Sequence, residues 1–324
     1  VVVASERPVI QTVFNVAFDS IQELQPGHAL IIKKNGTVTE EEIIVPVQKR
    51  ACSFERIYFS RGSDEKIYRE RIALGHHLSK TVLENISYDL KNTIFSYIPN
   101  TAEVAFYGLV KGMEEYLNQI KVQRILSWGK DFDEEKLNEM ITRKIRQEKI
   151  AIKDVKLRTF ITEDSSRNEM VQHVYDVTYG TVQKDVDTLV VIDDSIVRGN
   201  TQRAIVRMLR EAGALEVHVR ISSPPVMWPC FYGIDFATRA ELIANGLTIE
   251  EIKNSIGADS LGFVSLEGLV DATKVAEDRL CKACFDGKYP VALPDDGVFG
   301  KYVLENIAKG VEGEDGVARA LRLP

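Results

Sequence analysis

One continuous apolar run, Leu189-Val190-Val191-Ile192, constrains the fold more than any other feature of the sequence. A run of this length is typical of a strand in a parallel sheet that is covered on both faces. Apolar residues at helical spacing then extend from Ile205 to Ala212, and a second apolar strand covers 217–221. Strand, helix and strand in this order form a βαβ unit. The sequence therefore predicts an α/β fold with a parallel twisted sheet flanked by helices.

Residues 1–48 differ from this unit because their pattern predicts short strands only. Two segments are rich in β-forming residues, Val9–Val13 and Ala29–Lys33, and turn-forming pairs stand before and after the second, at Pro26-Gly27 and Asn35-Gly36. We expect this region to be β-rich and to end a preceding domain.

The main predicted domain covers residues 49–295, and residues 296–324 are expected to be a C-terminal tail. The other elements that we predict in the domain are a helix over 69–83, a strand over 93–98 and a helix over 102–112. The segment from about 114 to 156 is highly charged, with both signs interleaved. This composition predicts a charged helical insertion, an exposed helix pair rather than a nucleic-acid-binding arm.

Composition excludes several classes of protein. The chain has 324 residues, and 41 Lys and Arg against 48 Asp and Glu give a net charge of −7, which argues against a nucleic-acid-binding surface. No apolar run approaches the roughly 18 residues that span a bilayer, so we expect no membrane segment. Four cysteines are too few for a secreted disulfide scaffold. We therefore expect a cytoplasmic protein.

The loop that follows the buried strand carries the chemistry. Asp193 and Asp194 come first, and the stretch to Thr201 contains small or hydroxyl residues, one glycine and a helix N-terminus. Backbone N–H groups at such a helix start bind phosphate, and a carboxylate pair suits vicinal hydroxyls. The pattern indicates a ribose phosphate site. An ordinary Asp helix cap before a glycine turn, or a phospho-acceptor Asp, would account for the acid pair alone.

The complete string LVVIDDSIVRGNT resembles the PRPP-binding signature of type I phosphoribosyltransferases: four apolar residues, two acids, four variable residues, then Gly and Thr. Further blocks narrow the resemblance to the amidophosphoribosyltransferases. They are ACSFERIYFSR at 51–61, RTFI at 158–161, PCFYGID from 229, IGADSLGFVSLEGL from 256 and CKACF from 281. The resemblance implies a type I phosphoribosyltransferase fold, preceded at 1–48 by the last strands of an N-terminal nucleophile glutaminase domain.

The resemblance also implies an activity. Members form 5-phosphoribosylamine and pyrophosphate from PRPP and ammonia, taken from glutamine in the intact enzyme, as the first step of de novo purine synthesis. No cysteine precedes Cys52, so we expect this chain to use free ammonia and to lack the glutaminase nucleophile. Purine nucleotide inhibitors and a homo-oligomer are the further partners implied. A noncatalytic PRPP-sensing module and a metal-clipped scaffold remain as alternatives.

Roles for individual residues follow from the same resemblance. Asp193 and Asp194 would bind the ribose hydroxyls and Mg²⁺, and Thr101 would supply a hydroxyl to that ion unless it caps the next helix. Arg158 would lie in a lid and offset the charge of pyrophosphate. Lys153-Asp154-Val155 stands where the family commonly has Asn-Arg-Tyr. The residues that would hold the 5′-phosphate are Ser195, Ile196, Val197, Arg198, Gly199, Asn200 and Thr201.

The four cysteines, Cys52, Cys230, Cys281 and Cys284, include one CxxC pair. Four thiolates fit either a zinc ion or an iron–sulfur cluster, and four inert buried thiols fit the pattern equally well. In the Bacillus-like branch of the family a [4Fe-4S] cluster has its ligands at matching positions. The resemblance thus implies such a cluster, with a structural or oxygen-sensing role.

Overall fold

The computed structural model describes residues 1–129, 133–153, 175–234 and 239–291. Arg158 and the predicted tail at 296–324 lie outside the described residues. The helices within the described ranges are α1 Arg7–Phe14, α2 Glu65–His77, α3 Ser79–Asn85, α4 Glu103–Ser127, α5 Glu134–Thr142, α6 Asn200–Glu211, α7 Ile249–Ile256, α8 Leu266–Thr273 and α9 Ala283–Asp286. The strands are β1 His28–Ile32, β2 Val38–Glu42, β3 Ala51–Cys52, β4 Thr93–Tyr97, β5 Arg146–Gln147, β6 Ala151–Lys153, β7 Tyr175–Val177, β8 Thr188–Asp193, β9 Glu216–Ile221, β10 Ser260–Phe263 and β11 Leu280–Cys281.

A parallel sheet of five strands, in the order β10-β9-β8-β4-β5, forms the centre of the molecule. Its central strand β8 contains the apolar run on which the prediction rests, and α6 connects β8 to β9 as expected. The α/β fold is therefore confirmed. Smaller two-stranded sheets pair β1 with β2, β6 with β7 and β11 with β3.

The two faces of the sheet are covered by two separate apolar cores. Successive residues of β8 alternate between them, because side chains along a strand point to opposite faces: Val190 and Ile192 pack on one side, Leu189 and Val191 on the other. The first core, which we call the α4 core, is completed by α2, α4 and α8. The second, the α6 core, is completed by α6 and α7. Helices on both faces explain why the strand is continuously apolar.

The N-terminal region differs from its prediction. The residues predicted as a strand at Val9–Val13 belong to helix α1, whereas the strand predicted at Ala29–Lys33 is present as β1. Pro8 occupies the first turn of α1, where a missing N–H and a fixed φ favour a helix start. Arg7 anchors the same turn, since its guanidinium lies 3.4 Å from the carboxylate of Asp64 and over the ring of Phe18. These contacts override the strand propensity of the β-branched residues.

Two predicted helices have different limits. The helix expected over 69–83 is two helices, α2 and α3, that meet at Leu78. The helix expected over 102–112 continues as α4 to Ser127, well into the charged segment.

The segment of about 114–156, predicted as an exposed helix pair, contains helices but also a strand of the central sheet. It contains the end of α4 and the exposed helix α5, but it also supplies β5, which joins the central sheet beside β4. Leu117, Met140 and Ile145 are buried among its charged residues. These few apolar side chains attach the segment to the core. The average composition of the segment, which is highly charged, does not reveal them.

Within the described residues, no helix is both long enough and apolar enough to cross a bilayer.

Candidate active site

Three loops meet at the carboxyl edge of the central sheet. The chain leaves β4 through Ile98–Thr101, beside the end of β8, and the N–H of Ile98 donates to the carbonyl of Ile192 at 2.9 Å. On the other side of β8, the N–H of Ser222 donates to the carbonyl of Asp193 at 2.9 Å. Open α/β sheets bind ligands at this edge. The structure therefore brings the acid pair and the Thr101 loop to the same edge.

Asp193 is 6% exposed and is held by donors from the chain itself. The backbone N–H of Asp194 donates to Oδ1 of Asp193 at 2.8 Å, and the amide of Gln202 donates to Oδ2 at 2.6 Å. Burial and the charge of Asp194 raise the pKa of Asp193 well above its ordinary value. Neither acid caps the following helix, because the N-cap residue of α6 is Gly199.

Asp194 is 8% exposed and accepts a hydrogen bond from Ser195 Oγ at 2.6 Å. Burial raises the pKa of Asp194 to about 6, although Ser195 and the nearby cations Arg71 and Lys153 favour its charged form. A buried carboxylate pair with cations in electrostatic range is suited to hydroxyl groups or to a metal-bound phosphate.

Three side chains that the sequence analysis did not assign lie within electrostatic range of the acid pair: Tyr58, Tyr175 and Arg71. Burial and the two carboxylates raise the pKa values of Tyr58 and Tyr175. Arg71, on α2, is buried and donates to the backbone carbonyls of Arg56 at 2.9 Å and Ser60 at 2.6 Å. These residues come from segments far apart in sequence, so no local pattern marks them as members of one site.

The loop from Ser195 to Thr201 turns into α6 at Gly199, where the backbone has a φ of 80°. The positive φ favours glycine, and a Cβ at this position would lie 2.7 Å from Cδ1 of Ile243, so the end of that side chain would have to shift. The loop is anchored by the buried side chain of Ile196 and by a 2.9 Å bond from the Ile243 N–H to the carbonyl of Val197. A rigid glycine turn before a helix suits phosphate binding by backbone amides.

Arg198 and Asn200 have their own partners in this loop. Arg198 pairs with Glu241 at 3.0 Å, and Asn200 accepts from Arg203 at 2.7 Å. Thr101 does not cap α4, because the N-cap residue of that helix is Ala102. Its hydroxyl is therefore not used for capping at the start of α4. Arg158, the predicted lid residue, lies outside the described residues.

The four cysteines converge on one cavity. Strands β3 and β11 pair in parallel with Cys52 opposite Cys281, and Cys284 follows on α9. These three and Cys230 line a cavity of about 670 Å³, together with Phe54 and Phe59. All four are free thiols. Burial raises the pKa values of Cys52, Cys281 and Cys284, so binding of a metal there would release protons.

The donor type of these four thiols shows which metal groups they could hold. A tetrahedral zinc ion with Zn–S bonds of about 2.3 Å would hold its thiolates about 3.8 Å apart. In the part of the chain that the structure describes, no three His, Cys, Asp or Glu side chains are close enough to hold a single ion. By donor type, four thiolates lining one cavity fit zinc and an iron–sulfur cluster alike.

The sequence is similar to those of curated proteins over most of its length. No protein-family model matches the chain. A curated amidophosphoribosyltransferase of Mycobacterium tuberculosis is 61% identical over 124 residues, 37% of this chain and 24% of that protein. Another, of Mycobacterium leprae, is 35% identical over 94% of this chain and 49% of its own length. Over nearly its whole length, this chain is similar to amidophosphoribosyltransferases.

A solved member of the amidophosphoribosyltransferase family shares the fold as well as the sequence. The glutamine phosphoribosylpyrophosphate amidotransferase of Bacillus subtilis, complexed with ADP and GMP, is 35% identical over 85% of this chain and 54% of that chain, with a TM-score of 0.63. The resemblance stated from the sequence motifs is confirmed, and so is the type I phosphoribosyltransferase fold. The chain spans about half the length of the Mycobacterium leprae and Bacillus subtilis proteins, 49% and 54%, and its match to the Mycobacterium tuberculosis protein covers 24% of that protein.

Proposed function

We propose that this chain carries the phosphoribosyl-transfer site of an amidophosphoribosyltransferase. It would form 5-phosphoribosylamine and pyrophosphate from PRPP and ammonia, as the first step of purine nucleotide synthesis, with glutamine as the ammonia source in the intact enzyme. Ammonia attacks C1 of the ribose, the bond from C1 to the pyrophosphate oxygen breaks, and pyrophosphate leaves with the bonding electrons. The nitrogen then loses a proton to water.

The buried acid pair next to a glycine turn at a helix start is the observation that carries this proposal. Asp194 accepts from the ribose hydroxyls, and the backbone from Ser195 to Thr201 holds the 5′-phosphate. The carboxylates and the Thr101 hydroxyl are hard oxygen donors, which suits Mg²⁺ bound mainly through pyrophosphate. When bound, that ion neutralises the leaving group. Arg158 is proposed to add positive charge there.

Pyrophosphate release from PRPP, with Mg²⁺ and ammonium, tests the function. We expect turnover by the unsubstituted chain and a fall of about tenfold or more in Asp194→Asn, because a charged hydrogen-bond acceptor is lost. Asp176→Asn, a change at an exposed acid on β7, is the matched control. PRPP binding without turnover would instead indicate a sensing module. Full activity in Asp194→Asn would contradict the site.

We also propose that Cys52, Cys230, Cys281 and Cys284 hold a [4Fe-4S] cluster with a structural or oxygen-sensing role. The place of all four thiols around one cavity supports this proposal. Free thiols are also what a reducing cytoplasm maintains. Iron and acid-labile sulfide should be measured in protein purified without oxygen. Stoichiometric zinc without iron would contradict the cluster.

Purine nucleotides are the inhibitors that we propose for this chain. The related Bacillus subtilis structure is complexed with ADP and GMP, which supports regulation by such nucleotides. Inhibition of ammonia-dependent turnover by ADP and GMP, alone and together, is the direct test. Turnover that neither nucleotide changes would contradict regulation of this chain by them.

A further inference from the structure

Gln202 is a polar residue on the buried face of α6. It is 4% exposed and lies one turn before Ile205 and Val206, which pack in the α6 core. A buried side-chain amide costs free energy unless its hydrogen bonds are made. The proposed function so far assigns Gln202 no role.

The amide nitrogen of Gln202 makes hydrogen bonds to both the acid pair and the phosphate loop. Nε2 donates to Oδ2 of Asp193 at 2.6 Å and lies 3.3 Å from the backbone carbonyl oxygen of Ser195. Because the N–H of Asp194 occupies Oδ1 of Asp193, both oxygens of this carboxylate are held by protein donors. Asp194 differs, since the donor to its Oδ1 is the hydroxyl of the adjacent Ser195.

We propose that Gln202 is a positioning residue for the ribose phosphate site. Its amide fixes the Asp193 carboxylate and the start of the phosphate loop in one orientation, which leaves Asp194 and the loop amides to contact the substrate. This inference rests on the proposed function and adds to it a residue that does not touch the substrate.

Loss of the Gln202 amide should weaken the binding of one substrate, PRPP. Without the Nε2 donor, the Asp193 carboxylate keeps only its hydrogen bond from the N–H of Asp194. It still lies buried beside a second carboxylate. The Asp193 side chain and the Ser195 carbonyl should then be able to rotate. The loop amides would lose their alignment with the 5′-phosphate. Binding of PRPP should weaken, whereas the reaction of ammonia, at the other end of the ribose, should keep its concentration dependence.

Calorimetric titration of the chain with PRPP and Mg²⁺, together with ammonium-dependent kinetics, tests this. Gln202→Met keeps the shape of the side chain and removes the amide, and Gln202→Glu keeps the shape and replaces the donor by an acceptor. Both should raise the dissociation constant and the KM for PRPP by about tenfold or more, with the KM for ammonia unchanged. Leu209→Met, a volume-conserving change at a buried position on the same helix, is the matched control and should leave PRPP affinity unchanged.

Three results would overturn the inference while leaving the proposed function standing. They are unchanged PRPP affinity in both Gln202 variants, an equal loss in Leu209→Met, and loss of folding in both Gln202 variants, which would assign the amide to helix packing. Failure of the unsubstituted chain to bind PRPP is a different result, because it would refute the proposed function and this inference with it.

Discussion

At the scale of single residues, Gly199 combines two requirements in one position. Its φ of 80° disfavours any side chain, and its hydrogen faces Ile243 where a Cβ would clash. We predict that Gly199→Ala lowers the free energy of unfolding by about 1–2 kcal/mol, the conformational cost of the positive φ, plus a smaller cost for displacing the end of the Ile243 side chain. PRPP affinity should fall with it, since the turn shapes the phosphate loop. Chemical denaturation and calorimetry measure the two effects.

Gly36 offers the matched control for this change. It has a φ of 86° in an exposed turn, and no atom lies within 4 Å of a Cβ built there. Gly36→Ala therefore pays the conformational cost alone and should leave PRPP affinity unchanged. Equal effects of the two substitutions would contradict the contact with Ile243 as a cause.

At the scale of elements, β9 faces the α6 core with valines and isoleucine but the opposite side with His218 and Arg220. His218 lies 2.7 Å from Ser260 Oγ and 3.1 Å from a Glu216 carboxylate oxygen. Burial and the nearby Arg220 lower the pKa of His218 below its ordinary value. Burial also lowers the pKa of Arg220 to about 10.

The lowered pKa of His218 predicts a pH dependence of stability. As pH falls below about 6.5, the unfolded chain protonates this histidine while the folded chain does not, so stability falls. The loss from this group is at most about 1.4 kcal/mol per pH unit. Unfolding by denaturant at pH 7 and 5 should therefore show a smaller loss in His218→Gln than in the unsubstituted chain. Equal losses would contradict the prediction.

Besides its pairing with β4, the edge strand β5 is attached to the sheet through a salt bridge. Arg146 binds both carboxylate oxygens of buried Asp187, and the N–H of Gln183 donates to the same carboxylate at 2.7 Å. We predict that Asp187→Asn lowers the free energy of unfolding by about 1–3 kcal/mol, less than for a fully buried pair because Arg146 is partly exposed. Asp185→Asn, near the same turn, is the control. A loss no larger than in the control would contradict this role.

At the scale of the whole molecule, the cysteine cavity joins segments that are distant in sequence. Cys52 and Cys281 lie on paired strands, and Ser53 Oγ donates to the carbonyl of Cys281 at 2.7 Å. If a cluster is bound, Cys284→Ser should reduce the iron content of the protein and lower its unfolding temperature. Hydrogen exchange should become faster at 51–59 and 280–286 and stay unchanged in the central sheet. Ala283→Ser, at a buried neighbour in α9, controls for the hydroxyl. Unchanged iron and exchange would contradict the joining role.

The parts of this molecule that depend on neighbouring residues were predictable from the sequence. The strand, loop and helix from Leu189 to Ala212 depend on residues adjacent in the chain, and their types and spacing predicted both the fold and the acid pair. The strand predicted at Val9–Val13 was wrong because contacts of Arg7 with Asp64 and Phe18 outweigh local propensity. Gln202 carried a usable signal, since it is polar in an otherwise apolar helical stripe.

The sequence by itself determined a parallel α/β sheet and the residue types of the phosphate loop, because hydrophobic periodicity and turn chemistry act over a few neighbouring residues. Only the tertiary structure decided which donors hold Asp193, which cations lie near Asp194 and that four distant cysteines line one cavity. Burial, hydrogen bonding and the pKa of a buried acid depend on groups brought together by folding, and spacing along the chain does not specify those groups.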